Sequence, residues 1–192
     1  MKKDIILCGV GGQGILSIAT VIGEAATKEG LTLKQAEVHG MSQRGGDVQS
    51  NLRLSDGEIF SDLIPLGTAD LIISMEPMEA LRYLPWLSKD GVIVTSSKPF
   101  VNIPNYPEDA TLEAALKAVP RLVRADIEAL AKDAGNPKGA NMVLLGMAAS
   151  FIGVVSSSDL REALARIFSR KGEAIVEANK KCFDLGLSVR ES

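Results

Sequence analysis

A short apolar run, Ile5-Ile6-Leu7, meets a cluster of glycines, Gly9-Val10-Gly11-Gly12-Gln13-Gly14. Apolar residues then recur at helical spacing through Ile15, Ile18, Ala19, Ile22 and Ala26, and Gly30 is placed to end that helix. No polar residue interrupts the run, as expected of a parallel strand covered on both faces. Strand, glycine turn and helix in this order open a doubly wound α/β domain.

The rest of the chain fits that opening with one departure. A second strand is expected over Leu31 to Val38. It is followed by the unusual segment His39-Gly40-Met41-Ser42-Gln43-Arg44-Gly45-Gly46. Val48, Ser50, Leu52 and Leu54 then alternate with Gln49, Asn51 and Arg53, the period of a half-exposed strand. Asp56-Gly57 signals a hairpin with a short return strand over Glu58 to Ser61.

Further strands are expected over Ala69 to Met75, Gly91 to Ser96 and Arg121 to Ala125. Helices are expected over Pro77 to Leu84, Leu112 to Ala118 and from the Asp126 cap to Ala134. Pro99, Pro104 and Pro107 make Lys98 to Asp109 irregular. Met142 to Val155 is apolar all round and reads as a buried helix capped by Asn141. Two amphipathic helices close the chain. One carries Leu160, Ala163, Leu164, Ile167 and Phe168 on its apolar face; the other carries Ile175, Ala178, Cys182 and Leu185 and stops at Gly186. The expected architecture is one Rossmann-like α/β domain over residues 1–192, with a mostly parallel sheet, a β-hairpin insertion and C-terminal helices.

Charge and composition exclude several classes. With 21 basic and 24 acidic residues, and no long run of either sign, the chain lacks the footprint of a nucleic-acid binder. No apolar stretch reaches the roughly 20 residues that cross a bilayer, and the N-terminal apolar run is too short for a signal peptide, so a cytoplasmic protein is expected. Cys8 and Cys182 stand far apart and outside any C-x-x-C pair, which leaves no cysteine framework for zinc or an iron–sulfur cluster.

Gly9-x-Gly11-x-x-Gly14 matches the dinucleotide fingerprint, and Glu37 ends the second strand where a ribose-binding acid is expected. The same glycines also serve close packing or a protein contact, and both readings stand. Ile15 replaces the lysine that a P-loop requires, and Arg44 breaks the G-x-S-x-G elbow around Ser42. His39, the only histidine, is a candidate acid/base or a loop-holding hydrogen-bond partner; alone it cannot form a two-histidine metal site. Arg44 before Gly45-Gly46 offers a planar, permanently charged fork for a carboxylate or phosphate, or for an ion pair with this chain or a partner.

Taken together, Gly9 to Gly14 after the first strand, His39 to Gly46 after the second, and Gly135-Asn136 to Asn141-Met142 with Leu145-Gly146 resemble the gamma-type subunits of 2-oxoacid:ferredoxin oxidoreductases. The likeness extends over about residues 4–185 and is strongest to the beta subunits of the indolepyruvate-oxidising branch. The resemblance implies a complex that converts an aryl pyruvate and coenzyme A to the acyl-CoA and CO2 and passes two electrons to ferredoxin. It implies a large alpha subunit that holds thiamine diphosphate with magnesium, as electron sink of the decarboxylation, and the iron–sulfur clusters.

This chain lacks the G-D-G signature of thiamine diphosphate sites: Ser55-Asp56-Gly57 and Lys89-Asp90-Gly91 fail at the first position. It is therefore expected to hold no cofactor alone and to be inactive alone; its self-association stays open. Its binding residues are expected among Gly9, Gly11, Gly12, Gln13, Gly14, Arg44, Gly45 and Gly46, with His39 and Arg44 as the catalytic candidates. Two other readings compete: a free-standing NAD- or FAD-dependent oxidoreductase using Gly9, Gly11, Gly14 and Glu37, and a non-catalytic assembly module.

Overall fold

The computed structural model describes residues 1–39 and 45–189, with the His39 side chain outside that description. Six strands form one sheet in the order β2-β3-β1-β4-β5-β6. They are β1 (Lys2–Val10), β2 (Thr32–His39), β3 (Asp47–Ser55), β4 (Ala69–Ser74), β5 (Leu87–Ser96) and β6 (Leu122–Ala125). Pairings from β1 through β4 and β5 to β6 are parallel, whereas β3 runs antiparallel to both β1 and β2. The α/β architecture and mostly parallel sheet are as expected.

The hairpin differs from expectation. Residues 58–61 form no strand. Instead β3 turns back on β2, with Val38 opposite Gln49 and Thr32 opposite Ser55, and inserts between β2 and β1. The segment expected to return is folded over the sheet face. Its Ser61 and Leu63 carbonyls accept from Arg53 Nη1, and Asn51 Oδ1 accepts from the Ile64 amide. Arg53 itself is pinned by a two-pronged contact with the fully buried Asp4 carboxylate, at 2.8 and 3.0 Å. Backbone polar groups that a returning strand would have paired are met by these side chains.

Helices α1 (Ile15–Lys28), α4 (Ile127–Asp133), α5 (Ala140–Ile152), α6 (Ser157–Phe168) and α7 (Glu173–Leu187) share one core with Ile5, Leu7, Leu71, Ile73, Val92 and Val94. On the other face, Ile6, Cys8, Ile72 and Ile93 pack under α2 (Pro77–Arg82), which in turn lies beside α3 (Asp109–Lys117). Neighbouring residues of β1 thus enter opposite cores, which is why the run carries no polar alternation. Among the described residues no helix is long and apolar enough to cross a membrane.

Three further expectations need correction. Helix α2 ends at Arg82, and a separate 3-10 turn follows over Leu84–Trp86, where Pro85 lacks the donor to continue a helix. Strand β5 starts earlier than Gly91, at Leu87, because an irregular step in its pairing with β4 takes up the extra residues. Helix α7 buries Val176, Asn179, Cys182, Phe183 and Gly186 and leaves Ile175 44% exposed, a face rotated by one residue.

Gly186 lies inside α7 and does not stop it; it is the point of closest approach to α5. A Cβ there would sit 2.0 Å from the Val143 carbonyl oxygen, and one at Gly146 would sit 2.1 Å from that of Phe183. The paired glycines set the rotation of α7, which apolar periodicity alone left undetermined.

Candidate functional site

Both glycine segments meet at the C-terminal edge of the sheet, beyond β1. Gly12 and Gly14 have φ of 102° and 83°, the left-handed region that a side chain enters only with strain. Gln13 closes the turn: its amide donates to the Val10 carbonyl at 3.1 Å, and its Oε1 accepts from the Val10 amide at 2.7 Å. Gly9 leaves room for that side chain, since a Cβ there would lie 2.9 Å from Gln13 Oε1. Gly14 then starts α1 without any side-chain cap.

The second segment clasps the first. The Gly11 amide donates to the Gly46 carbonyl at 2.8 Å, and the Gly45 amide donates to the Gly11 carbonyl at 3.4 Å. Gly40 through Arg44 lie outside the described residues, as does the His39 side chain, so the structure places Gly45 and Gly46 at the site and is silent on the side chains of His39 and Arg44. An open cavity of about 440 Å³ borders the turn, lined by Gly11, Gly12, Gly14, Val10, Ile15 and Val48. Its described lining offers backbone amides, the N-terminal end of a 14-residue helix, and aliphatic side chains.

Two supporting contacts come from far along the chain. Asn141 does not cap α5, whose N-cap is Gly139; it lies in the first turn and donates from Nδ2 to the Gly14 carbonyl at 3.1 Å. Asn102 donates from Nδ2 to the Gly45 carbonyl at 2.9 Å. Asn102 belongs to the proline-containing segment between β5 and α3, and a buried carboxylate at the end of β4 fixes that segment. Glu76 is fully buried; its Oε2 accepts from the Glu79 amide at 2.8 Å, capping α2, and its Oε1 accepts from the Phe100 amide at 3.3 Å and from the Tyr106 hydroxyl. Burial and this carboxylate push the Tyr106 phenol up, so it stays a donor at ordinary pH. Sequence reasoning passed over Glu76, although an acid immediately before a helix-opening proline is a cap signal.

The geometry bears on the dinucleotide reading. Glu37 lies near the end of β2, and β3 stands between β2 and β1, so Glu37 is two strand spacings, about 9.6 Å, from the glycine strand. Its Oε1 accepts from Gln35 Nε2 at 2.8 Å. The Gly11 amide, which a pyrophosphate would use, is engaged by Gly46. Strand insertion and loop closure both work against the Rossmann manner of holding a dinucleotide, with its pyrophosphate on the Gly11 amide and its ribose on Glu37.

Among the described residues the donor set does not fit a metal ion or an iron–sulfur cluster. Cys8 and Cys182 are buried on separate elements, β1 and α7, and burial pushes both thiols up, away from the thiolate a cluster needs. Among the described residues no group of three or more His, Cys, Asp or Glu converges to hold a metal.

The family model for pyruvate ferredoxin/flavodoxin oxidoreductase matches residues 4–189. The indolepyruvate oxidoreductase subunit IorB of Pyrococcus horikoshii is 37% identical, over 98% of this chain and 96% of its own. The crystal structure of a keto/oxoacid ferredoxin oxidoreductase gamma subunit from Geobacter sulfurreducens superposes with a TM-score of 0.75 at 27% identity, over 98% of this chain and 96% of that one. A 2-oxoglutarate:ferredoxin oxidoreductase from Magnetococcus marinus shares the fold at a TM-score of 0.77 and 20% identity; all of this chain matches 32% of that longer one. The chain belongs to the pyruvate ferredoxin/flavodoxin oxidoreductase family, as one of its gamma-type small subunits.

Proposed function

We propose that this chain acts as the small subunit of an indolepyruvate-type 2-oxoacid ferredoxin oxidoreductase in the cytoplasm, folded as one domain and inactive without its large subunit. The complex takes an aryl pyruvate and coenzyme A to the acyl-CoA and CO2 and hands two electrons to ferredoxin. Thiamine diphosphate, magnesium and the iron–sulfur clusters belong to the large subunit. The name of the P. horikoshii relative supports the choice of substrate.

The contribution of this chain is the edge built from the glycine turn and the 39–46 segment, which faces the large subunit and closes its cleft or seats the coenzyme A or substrate end. One observation carries this reading. The two segments that most resemble the family are hydrogen-bonded to each other at the C-terminal ends of the parallel strands, where ligands of open α/β sheets collect. The N-terminus of α1, which carries no side-chain cap, favours an anionic group there, a phosphate or a carboxylate. Arg44, adjoining Gly45 in sequence, supplies the matching charge.

Arg44→Ala tests the assignment. The variant is expected to fold with an unchanged melting temperature and to lower turnover of the assembled complex, with the loss concentrated in KM for coenzyme A or for the oxoacid. Full turnover with unchanged KM values would leave the loop a structural role only.

A further inference from the structure

We propose that Asn102 is a positioning residue for the reaction of the assembled oxidoreductase: it fixes the Gly45–Gly46 clasp on the glycine turn. This inference rests on the reading of that turn just given. Stability alone gives the side chain little reason to be where it is. Its Nδ2 donates to the Gly45 carbonyl at 2.9 Å, but its Oδ1 is buried and meets no donor among the described residues. A buried polar atom left unmet costs the folded state free energy, and native structures rarely carry one without a use. Turning the amide over offers no escape, because the oxygen would then face the carbonyl oxygen of Gly45. Gly45 itself is exposed, so water would satisfy its carbonyl equally well. What Asn102 adds is geometry.

That geometry passes directly to the candidate site. Gly45, at φ 81°, donates its amide to the Gly11 carbonyl at 3.4 Å, and the Gly46 carbonyl accepts from the Gly11 amide at 2.8 Å. Gly11 lines the cavity of about 440 Å³ together with Gly12, Gly14 and Ile15. On its other side Asn102 is anchored to the sheet. The Phe100 amide, two residues before it, and the Tyr106 hydroxyl, four residues after it, both donate to Oε1 of Glu76. Glu76 is fully buried, and a buried carboxylate is tolerated only when donors meet its oxygens in this way. The residues just past β4 therefore set the position of Asn102, and Asn102 sets that of Gly45. Support of this kind, carried from rigid elements to a binding wall, is what keeps a site in its productive geometry.

The test uses Asn102→Ala in the full chain, alone and assembled with the large subunit. Its melting temperature is expected to stay the same or rise, since the variant gives up one hydrogen bond and one unmet oxygen together. The Gly11 amide is expected to exchange with deuterium about two- to tenfold faster, the range that one such hydrogen bond carries. In the assembled complex, KM for coenzyme A or for indolepyruvate is expected to rise by a similar factor while kcat is retained, the mark of lost binding shared by ground and transition states. Tyr106→Phe, which frees the segment from Glu76 without touching Asn102, is expected to raise the same KM.

A lower melting temperature with both kinetic constants unchanged would make Asn102 a stability residue and overturn the inference, as would unchanged exchange at Gly11. Unchanged KM in Asn102→Ala, with turnover lowered by Arg44→Ala, would overturn the role of Asn102 and leave the proposed function of the glycine turn standing. Unchanged kinetics in both variants would overturn the two together.

Discussion

Replacing Gly14 with alanine perturbs the glycine turn in two ways that a double-mutant cycle separates. At φ 83° an alanine sits in the left-handed region, a strain of about 1–2 kcal/mol. Its Cβ would also lie 2.7 Å from Asn141 Nδ2, well inside the ~3.5 Å of ordinary contact. Asn141 must move, and its hydrogen bond to the Gly14 carbonyl is lost or weakened, a further ~0.5–1.5 kcal/mol. Gly14→Ala is therefore expected to destabilise by roughly 1.5–3.5 kcal/mol in total.

In an Asn141→Ala background the second contribution no longer exists, and Gly14→Ala should cost only the backbone strain, about 1–2 kcal/mol. The coupling between the two sites is then about 0.5–1.5 kcal/mol, read from urea unfolding of the four proteins with a shared m-value. Effects that add to within about 0.3 kcal/mol would show that Asn141 does not hold the turn.

Other parts of the structure make equally definite claims. Gly186→Ala drives a methyl group to 2.0 Å from the Val143 carbonyl oxygen and forces α5 and α7 apart. The ~1 kcal/mol gained in helix propensity is outweighed by overpacking of up to about 3 kcal/mol, and a melting temperature that rises would refute the close approach. At the start of α6, Ser156 and Asp159 cap reciprocally: the Asp159 amide donates to Ser156 Oγ at 3.0 Å, and the Ser156 amide donates to the Asp159 carboxylate at 3.1 Å. Ser156→Ala should cost about 1 kcal/mol in urea unfolding.

The Ser156 hydroxyl and amide hold the Asp159 carboxyl below its ordinary 3.8. A depressed acid stabilises the folded state above its unfolded value, and that contribution is lost as pH falls through the folded value. The melting-temperature gap between the unmodified chain and Asp159→Asn should therefore be full at pH 7 and close below about pH 4; a gap that persists at pH 2 would contradict the assignment.

What the sequence made legible was local. Ile5-Ile6-Leu7, the glycine turn and the stripe from Ile15 to Ala26 all fall where expected, because strand, turn and helix are encoded by neighbours within a few residues. The all-round apolar pattern likewise marked α5 as buried. Choices among equivalent partners were hidden. Alternation in Val48 to Leu54 specifies a half-covered strand but not which strand it pairs with, and pairing back to β2 is what moved Glu37 away from β1.

The rotation of α7 was hidden for a related reason. Two overlapping stripes offer similar apolar faces, and the choice between them lies in the contact of Gly186 with another helix. At the candidate site the glycines were visible, but their supports were not: Asn141 reaches Gly14 across 127 residues, and Asn102 reaches Gly45 across 57. No local pattern records a contact of that range.

The central claim, that this chain is an obligate small subunit of an aryl-pyruvate oxidoreductase, is tested most directly by reconstitution. The purified chain and its large subunit, separately and mixed, are assayed for reduction of a low-potential acceptor that depends on both indolepyruvate and coenzyme A. The account predicts activity only in the mixture. Absence of activity in a mixture that forms no complex, together with NAD binding by this chain alone, would contradict it and return the glycine turn to a dinucleotide role.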